Sequence, residues 1–397
     1  MGKQNKITHI LKHKNIDVAY LWIEEGKVLD VNEIKEPEHL PYKYVEDSVK
    51  NVKLLNNWIA KRGIPFRRED YDFVMQKYKV NTSSELIVLS NGLNLTDHYW
   101  LCEKNKEKRW ENVNFLDNKF SIRIGEILPE LTEAYEEFVN PDFSSNGRLK
   151  KFWIIDGEKR VLCKDGSGDI RQEPFNEKIA SDIAEKLKIN NVKYKLGEFE
   201  KTYYSKCDCM IDRDLEYVNA FTVYLEGTAT GNRYDDYIQI CENKGLKNVR
   251  DEVDKMIILD YIIRNTDRHV GNFGILRNAE TLQWEKTAPV FDNGNSFWHD
   301  AQGETYIDGK TKSQSRSFLK TNEENLLLVR DKNIVDLNEI KQMPAEIYNV
   351  LKVNKKIEQT RIEKIIKEYK SRVERIYTIT ENIKEKDNIN GKGSGRK

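Results

Sequence analysis

Residues 249–294 constrain this chain more tightly than any other stretch. Val249 to Ile263 carries apolar residues at helical spacing, with Val249, Val253, Met256 and Ile257 on the inward side. The helix runs into Asn265-Thr266-Asp267-Arg268-His269, followed by Gly271 and Asn272. Phe273 to Leu276 and Leu282 to Trp284 read as short strands around a turn at Arg277-Asn278. Asp292-Asn293-Gly294 follows the apolar Val290-Phe291. Asn272 stands five residues after Asp267, and Asp292 twenty after Asn272. A hairpin between the last two would bring them back together. Helix, polar loop, hairpin and second polar loop in this order belong to an α+β fold.

The residue types suit phosphoryl transfer. Such a reaction needs an acceptor hydroxyl positioned and its proton taken, which fits Asp267. It also needs Mg²⁺ on the phosphate oxygens, and hard cations take oxygen ligands such as Asn272 and Asp292. Taken singly, Asp-Arg-His reads as a surface turn and Asp-Asn-Gly as a hairpin turn. In this order behind an apolar helix, they read as one site.

Further upstream, Phe152 to Ile155 and Arg160 to Lys164 flank Asp156-Gly157, a hairpin signal. Phe175 to Leu187 follows as a helix with Ile179, Ile183 and Leu187 on one stripe, and Tyr203 to Ile211 as a strand. Lys164 at a strand end and Glu177 early in a helix match the strand-Lys, helix-Glu pair that handles the α/β-phosphates. Lys159, Glu173 and Glu185 are alternatives by position. Ser144-Ser145-Asn146-Gly147 is a small-residue loop whose backbone could approach a phosphate, though it is neither G-x-G-x-x-G nor a Walker A sequence. Ser144 and Ser145, and Ser313, Ser315 and Ser317 in a basic stretch, read as solvated serines or as phosphorylation targets.

With these residues in hand, the chain resembles the HipA-like serine/threonine kinases of bacteria. Gln172 to Ser181 resembles that family's helix-C segment, Asn265 to His269 with Gly271 to Gly274 its catalytic loop, and Ala288 to Asp292 its metal-binding strand end. The inverted order Asp267-Arg268-His269 is shared with phosphatidylinositol kinases. The resemblance spans about residues 143–330. It implies a bilobal protein-kinase-like α+β fold with ATP and Mg²⁺ as cofactors. Asp267 is then the base, His269 a further catalytic residue, Asn272 and Asp292 the metal ligands, and Lys164 the phosphate contact supported by Glu177. The adenine would lie near Met210 and Ile211. The acceptor would be a Ser or Thr hydroxyl on a protein. The alternatives are a lipid or small-molecule kinase and a catalytically silent nucleotide-binding regulator. A regulatory partner protein fits the resemblance.

Along the chain we expect an accessory region over 1–135, with strands at Asp17 to Trp22 and Leu86 to Leu89 and a helix from Val49 to Arg62. A nucleotide-binding lobe over 136–212, a mainly helical lobe over 213–385 and a disordered tail over 386–397 follow. Ile362, Ile366, Tyr369, Val373 and Ile376 make a helical stripe. The scattered His9, His13, His39 and His98 read as surface or packing residues rather than ligands. Lys plus Arg equals Asp plus Glu at 66 each among 397 residues, so no overall field points to nucleic acid or an anionic membrane. Five cysteines without a framework, no membrane-length apolar run and no apolar leader at the N-terminus suggest a cytoplasmic protein.

Overall fold

The computed structural model describes residues 6–120, 140–144, 147–199, 201–309 and 312–392, with side chains as far as about Ile376. In chain order the elements are β1 (His9–His13), β2 (Ile16–Glu24), β3 (Lys27–Ile34), α1 (Ser48–Arg62), α2 (Tyr71–Tyr78), α3 (Ser83–Leu89), β4 (Tyr99–Glu103), α4 (Trp110–Val113), β5 (Lys151–Asp156) and β6 (Lys159–Lys164). Then come α5 (Glu173–Lys186), β7 (Tyr194–Phe199), β8 (Thr202–Asp208), β9 (Leu215–Asn219), α6 (Ala220–Leu225), α7 (Arg233–Asn243), α8 (Val249–Ile263), β10 (Gly274–Asn278), β11 (Trp284–Thr287), α9 (Asn322–Leu326), α10 (Met343–Leu351) and α11 (Gln359–Lys392). The chain weaves between two compact units. The first takes Met1–Asp165, Lys206–Thr228 and Gly274–Lys286; the second takes Gly166–Ser205, Ala229–Phe273 and Thr287–Lys397. No helix among the described residues is long and apolar enough to cross a membrane.

In the first unit, β3-β2-β1-β4 form an antiparallel sheet. Glu25 and Gly26 both sit at positive φ (45° and 73°), the backbone of a tight primed turn between β2 and β3. Gly26 is also required by space, because a Cβ there would lie 2.4 Å from the Glu85 backbone nitrogen. Asn56 on α1 bonds both backbone groups of Val28, at 3.0 and 2.8 Å, which satisfies part of the β3 edge. Strand β4 is buried on both faces. Tyr99 and Leu101 join a core with Leu11, Leu21, Leu55 and Ile59, whereas Trp100 and Cys102 join another with Trp110, Phe115 and Trp153. The expected β5–β6 hairpin is present, with Phe152 opposite Cys163. A second sheet places β10 between β9 and β11, β9 and β10 antiparallel.

Leu86 to Leu89 is the end of helix α3, not the expected strand. Thr82 caps that helix by accepting the Glu85 N–H at 3.2 Å. Thr82-Ser83-Ser84-Glu85 is a helix-start pattern that outweighs the β-like run after it.

Asp142 lies in a 3-10 turn (Pro141–Ser144) of the first unit and is fully buried. One carboxylate oxygen accepts the Trp153 N–H at 2.7 Å, and the other has no hydrogen-bond partner among the described residues. Burial pushes this carboxyl up to about 7 from its ordinary 3.8. Between those pH values the folded chain binds a proton that the unfolded chain has released. The stabilisation is therefore complete below the lower value and is lost as pH rises through the upper one. Asp142→Asn is expected to raise the melting temperature relative to wild type at about pH 8, and to raise it by less at about pH 5. Thermal melts at both pH values check this.

In the second unit α8 is buried nearly all round, from Val249 to Ile263. The stripe of α11 is Ile362, Ile365, Tyr369, Arg372 and Ile376. Ile365 and Arg372 replace the expected Ile366 and Val373, which are only half-buried. A buried arginine falls outside any hydrophobic pattern. Here Arg372 donates to the Tyr261 carbonyl at 2.5 Å, to Glu323 at 3.1 Å and to the Ser313 hydroxyl at 3.3 Å, and it lies over the Tyr261 ring. Helix α11 continues to Lys392, so residues 386–392 are helical where a disordered tail was expected.

Candidate active site

Helix α8 stops because Arg264 adopts the left-handed conformation, φ 55°. Asn265, fully buried, then bridges backwards and forwards. Its Nδ2 donates to Asp260 at 2.9 Å, and its Oδ1 accepts the Asp267 N–H at 3.0 Å. The backbone of Asp267 is thus anchored to the helix that delivers it.

Arg268 has no exposed surface and organises the loop. Its Nε and Nη2 donate to the Asp260 carboxylate, each at 3.0 Å. Its Nη1 donates to the carbonyl of Asn272 at 2.9 Å and to that of Phe291, and its Nη2 reaches the Asn293 side chain. One guanidinium therefore joins the ends of both polar loops. Burial disfavours the charge, but the neighbouring Asp260 carboxylate, with Asp292 and Glu177 beyond, holds the arginine more strongly protonated than usual.

The Asp267 side chain is partly exposed, at 27%. One oxygen accepts Asn295 Nδ2 at 2.9 Å and the other accepts Arg316 at 3.1 Å. Its backbone carbonyl accepts Asn272 Nδ2 at 3.1 Å, which leaves Asn272 Oδ1 as the amide atom for a cation. His269 Nδ1 accepts the Gly271 N–H at 2.9 Å, so this ring shapes the loop between Asp267 and Asn272.

Asp292 sits at φ 58°, a conformation uncommon for a non-glycine residue, and its N–H donates to the Tyr194 hydroxyl at 3.3 Å. Helix α5 grips the residues that follow. Glu177, buried, accepts the Asn293 N–H at 2.8 Å. Asn176 donates to the carbonyls of Gly294 and Ser296, and Gln172 to that of Phe297. Gly294 fits closely here: an added Cβ would lie 3.2 Å from Glu173 Cβ, so the neighbour would have to give by a few tenths of an ångström. Asn272 and Asp292 offer oxygen donors of the hard type that Mg²⁺ takes, on loops fixed to one guanidinium, so the donor set fits that ion.

Searches against protein-family models and curated proteins find no match for this sequence. Among solved structures, the HipA, HipB and operator-DNA complex of a toxin–antitoxin system from Shewanella oneidensis MR-1 is similar, with a TM-score of 0.53 and 10% identity over 93% of this chain and 97% of that one. The Helicobacter pylori proinflammatory kinase CtkA matches at a TM-score of 0.44 and 17% identity, over 59% of this chain and 95% of that one. The chain has a HipA-like fold.

Within this HipA-like fold, Asp267, Asn272, Asp292, Glu177 and His269 lie in the second unit, and Lys164 ends β6 in the first, buried. Lys159 is a surface residue paired with Asp208, and Glu185 pairs with Lys193 on the surface. Glu173 accepts the Ser167 N–H at 3.1 Å. Ser144 is buried, and its hydroxyl donates to the Pro141 carbonyl at 3.2 Å. Ser145 and Asn146 lie outside the described residues, and Gly147 follows at φ 111°. Met210 is half-buried and Ile211 buried just beyond β8. Ser313 is buried, its N–H bonded to Glu323 at 3.0 Å, and Ser315 and Ser317 bond each other at 3.1 Å. Sequence reasoning missed Asn265, Asn295 and Arg316, which hold Asp267 from three sides. The two asparagines sit two residues before Asp267 and three after Asp292, a spacing that could have flagged them.

Proposed function

We propose that this chain is an ATP- and Mg²⁺-dependent kinase that phosphorylates a Ser or Thr hydroxyl on a protein. The observation that carries the reading is the arrangement around Arg268. It fixes the Asp267 loop, the Asn272 carbonyl and the residues flanking Asp292 in one rigid set, while Asp267 keeps its carboxylate partly exposed. Asn272 and Asp292 would hold Mg²⁺, which would supply neutralisation of phosphate charge when bound. Asp267 would orient the acceptor hydroxyl and take its proton as that oxygen bonds to the γ-phosphorus. The bond from γ-phosphorus to the bridging oxygen breaks, and ADP leaves. Asn295 and Arg316 would keep the Asp267 carboxylate in place for that transfer. Lys164 is assigned to the phosphates. Glu177 ties the Asp292-Asn293-Gly294 turn to α5. A cytoplasmic location and a regulatory protein partner belong to the same proposal.

Incubation of the purified chain with labelled ATP and bacterial lysate, followed by phosphoamino-acid analysis, tests the acceptor. Label on protein serine or threonine is the expected result, and label confined to lipid or small molecules would overturn that part. Lys164→Ala is expected to weaken ATP binding by about 1.5–3 kcal/mol, the usual worth of a charge-assisted contact, and nearly to abolish transfer. Wild-type ATP affinity and turnover in that variant would show the lysine to be misassigned.

A further inference from the structure

The first unit holds a second polar cluster, formed by residues that the sequence reading treats as packing histidines. His13 on β1, His98 just before β4 and Glu216 on β9 are each at most 1% exposed. His13 Nε2 lies 3.0 Å from Glu216 Oε2, and His98 Nδ1 lies 3.6 Å from the same oxygen. All three ligand atoms fall within 4.8 Å of one another.

The hydrogen bonds around the cluster fix its chemistry. His98 Nε2 faces the Asp212 carbonyl at 2.9 Å, and a carbonyl can only accept, so Nε2 carries the proton. The Nδ1 of a neutral ring is then a bare lone pair. It is buried, has no hydrogen-bond partner among the described residues, and faces a carboxylate oxygen beyond normal hydrogen-bond reach. A lone pair against a carboxylate is repulsive unless a cation, or a proton on Nδ1, lies between them. His13 Nδ1 meets His39 Nδ1 at 2.9 Å, so His39 can take the His13 Nδ1 proton and leave the His13 Nε2 lone pair toward the same point. Glu216 is oriented by Arg277 on its other oxygen at 2.7 Å and by the His98 N–H at 3.1 Å. Ligating histidines that donate their second nitrogen outward, and a ligating carboxylate that is itself hydrogen-bonded, are the usual outer layer of a metal site. Ligand atoms around a tetrahedral zinc with bonds of about 2.0–2.1 Å stand about 3.3 Å apart. The two separations to Glu216 bracket that value.

We propose that His13, His98 and Glu216 bind a zinc-class divalent cation that ties β1 and the start of β4 to β9, joining two sheets of the first unit. Two imidazoles and one carboxylate form a set that zinc accepts, with a water left for the fourth position. None of these residues belongs to the proposed catalytic machinery, so this inference stands or falls separately from the kinase reading.

The test uses the full-length chain. Zinc content after dialysis, and melting temperature with chelator and with added Zn²⁺, are measured for wild type, His98→Gln and Asp292→Asn. His98→Gln keeps a donor for the Asp212 carbonyl but removes the Nδ1 ligand. Wild type is expected to retain one zinc and to melt higher with Zn²⁺ than with chelator. Asp292→Asn should behave the same way. His98→Gln should bind Zn²⁺ at least about tenfold more weakly and lose the melting response. If His98→Gln does not fold, Co²⁺ titration of wild type decides: a visible absorption band removed by Zn²⁺ supports the site. Wild type with no zinc, no Co²⁺ band and no melting response would overturn it, as would undiminished zinc affinity in His98→Gln. Loss of the zinc in Asp292→Asn would also overturn it, by placing the metal elsewhere.

Discussion

Asp267→Asn is expected to lower turnover by ~10²–10⁴-fold, the usual contribution of a general base, with little change in Mg·ATP affinity. The substituted amide keeps the shape of the carboxylate and one oxygen acceptor, so the bond from Asn295 or Arg316 can survive in part. The backbone carbonyl that receives Asn272 is untouched. What is lost is the ability to take a proton. Steady-state kinetics beside calorimetric titration separates the two effects. Loss of Mg·ATP binding in this variant would mean that Asp267 serves the metal rather than the acceptor.

Arg268→Met should be among the most destabilising single changes in the second unit. Arg268 has no exposed surface and faces Asp260, which is 4% exposed. Removing one member of a buried pair leaves the other charge uncompensated, at a cost of about 3–5 kcal/mol. The carbonyls of Asn272 and Phe291 also lose a donor, so both site loops should loosen together. Chemical denaturation should show a large drop in midpoint. Arg268→Lys keeps a charge but not the planar fork, and should recover only part of the loss. A midpoint equal to wild type in Arg268→Met would show that this guanidinium does not organise the site.

Much of the site's local structure was legible because it follows from local rules. The helix from Val249 to Ile263 has the bounds that its apolar spacing predicts, and the Asp156-Gly157 turn closes the expected hairpin. The loop pair at Asp267 and Asp292 is written in sequence spacing alone. Side chains whose meaning depends on distant partners were less legible. Arg268 reads only as the middle of Asp267-Arg268-His269, yet its partners at 260, 272, 291 and 293 make it the link between both polar loops. Arg372 stands where the stripe predicts Val373, because the Tyr261 carbonyl and Glu323 supply its partners. Leu86 to Leu89 misled because β-branched residues suggest strand while the capping residues lie just before the run. The histidine cluster was hidden for the same reason as the partners of the arginines. His13 and Glu216 are 203 residues apart, and no local pattern announces their 3.0 Å contact.

The most direct test of the central claim is calorimetric titration of Mg·ATP into wild type and Asp292→Asn, repeated without Mg²⁺. The account predicts Mg²⁺-dependent binding to wild type and its loss in Asp292→Asn, because a charged oxygen ligand has been removed from the metal that neutralises the phosphates. Equal Mg·ATP affinity in the two proteins, or binding to wild type that ignores Mg²⁺, would contradict it.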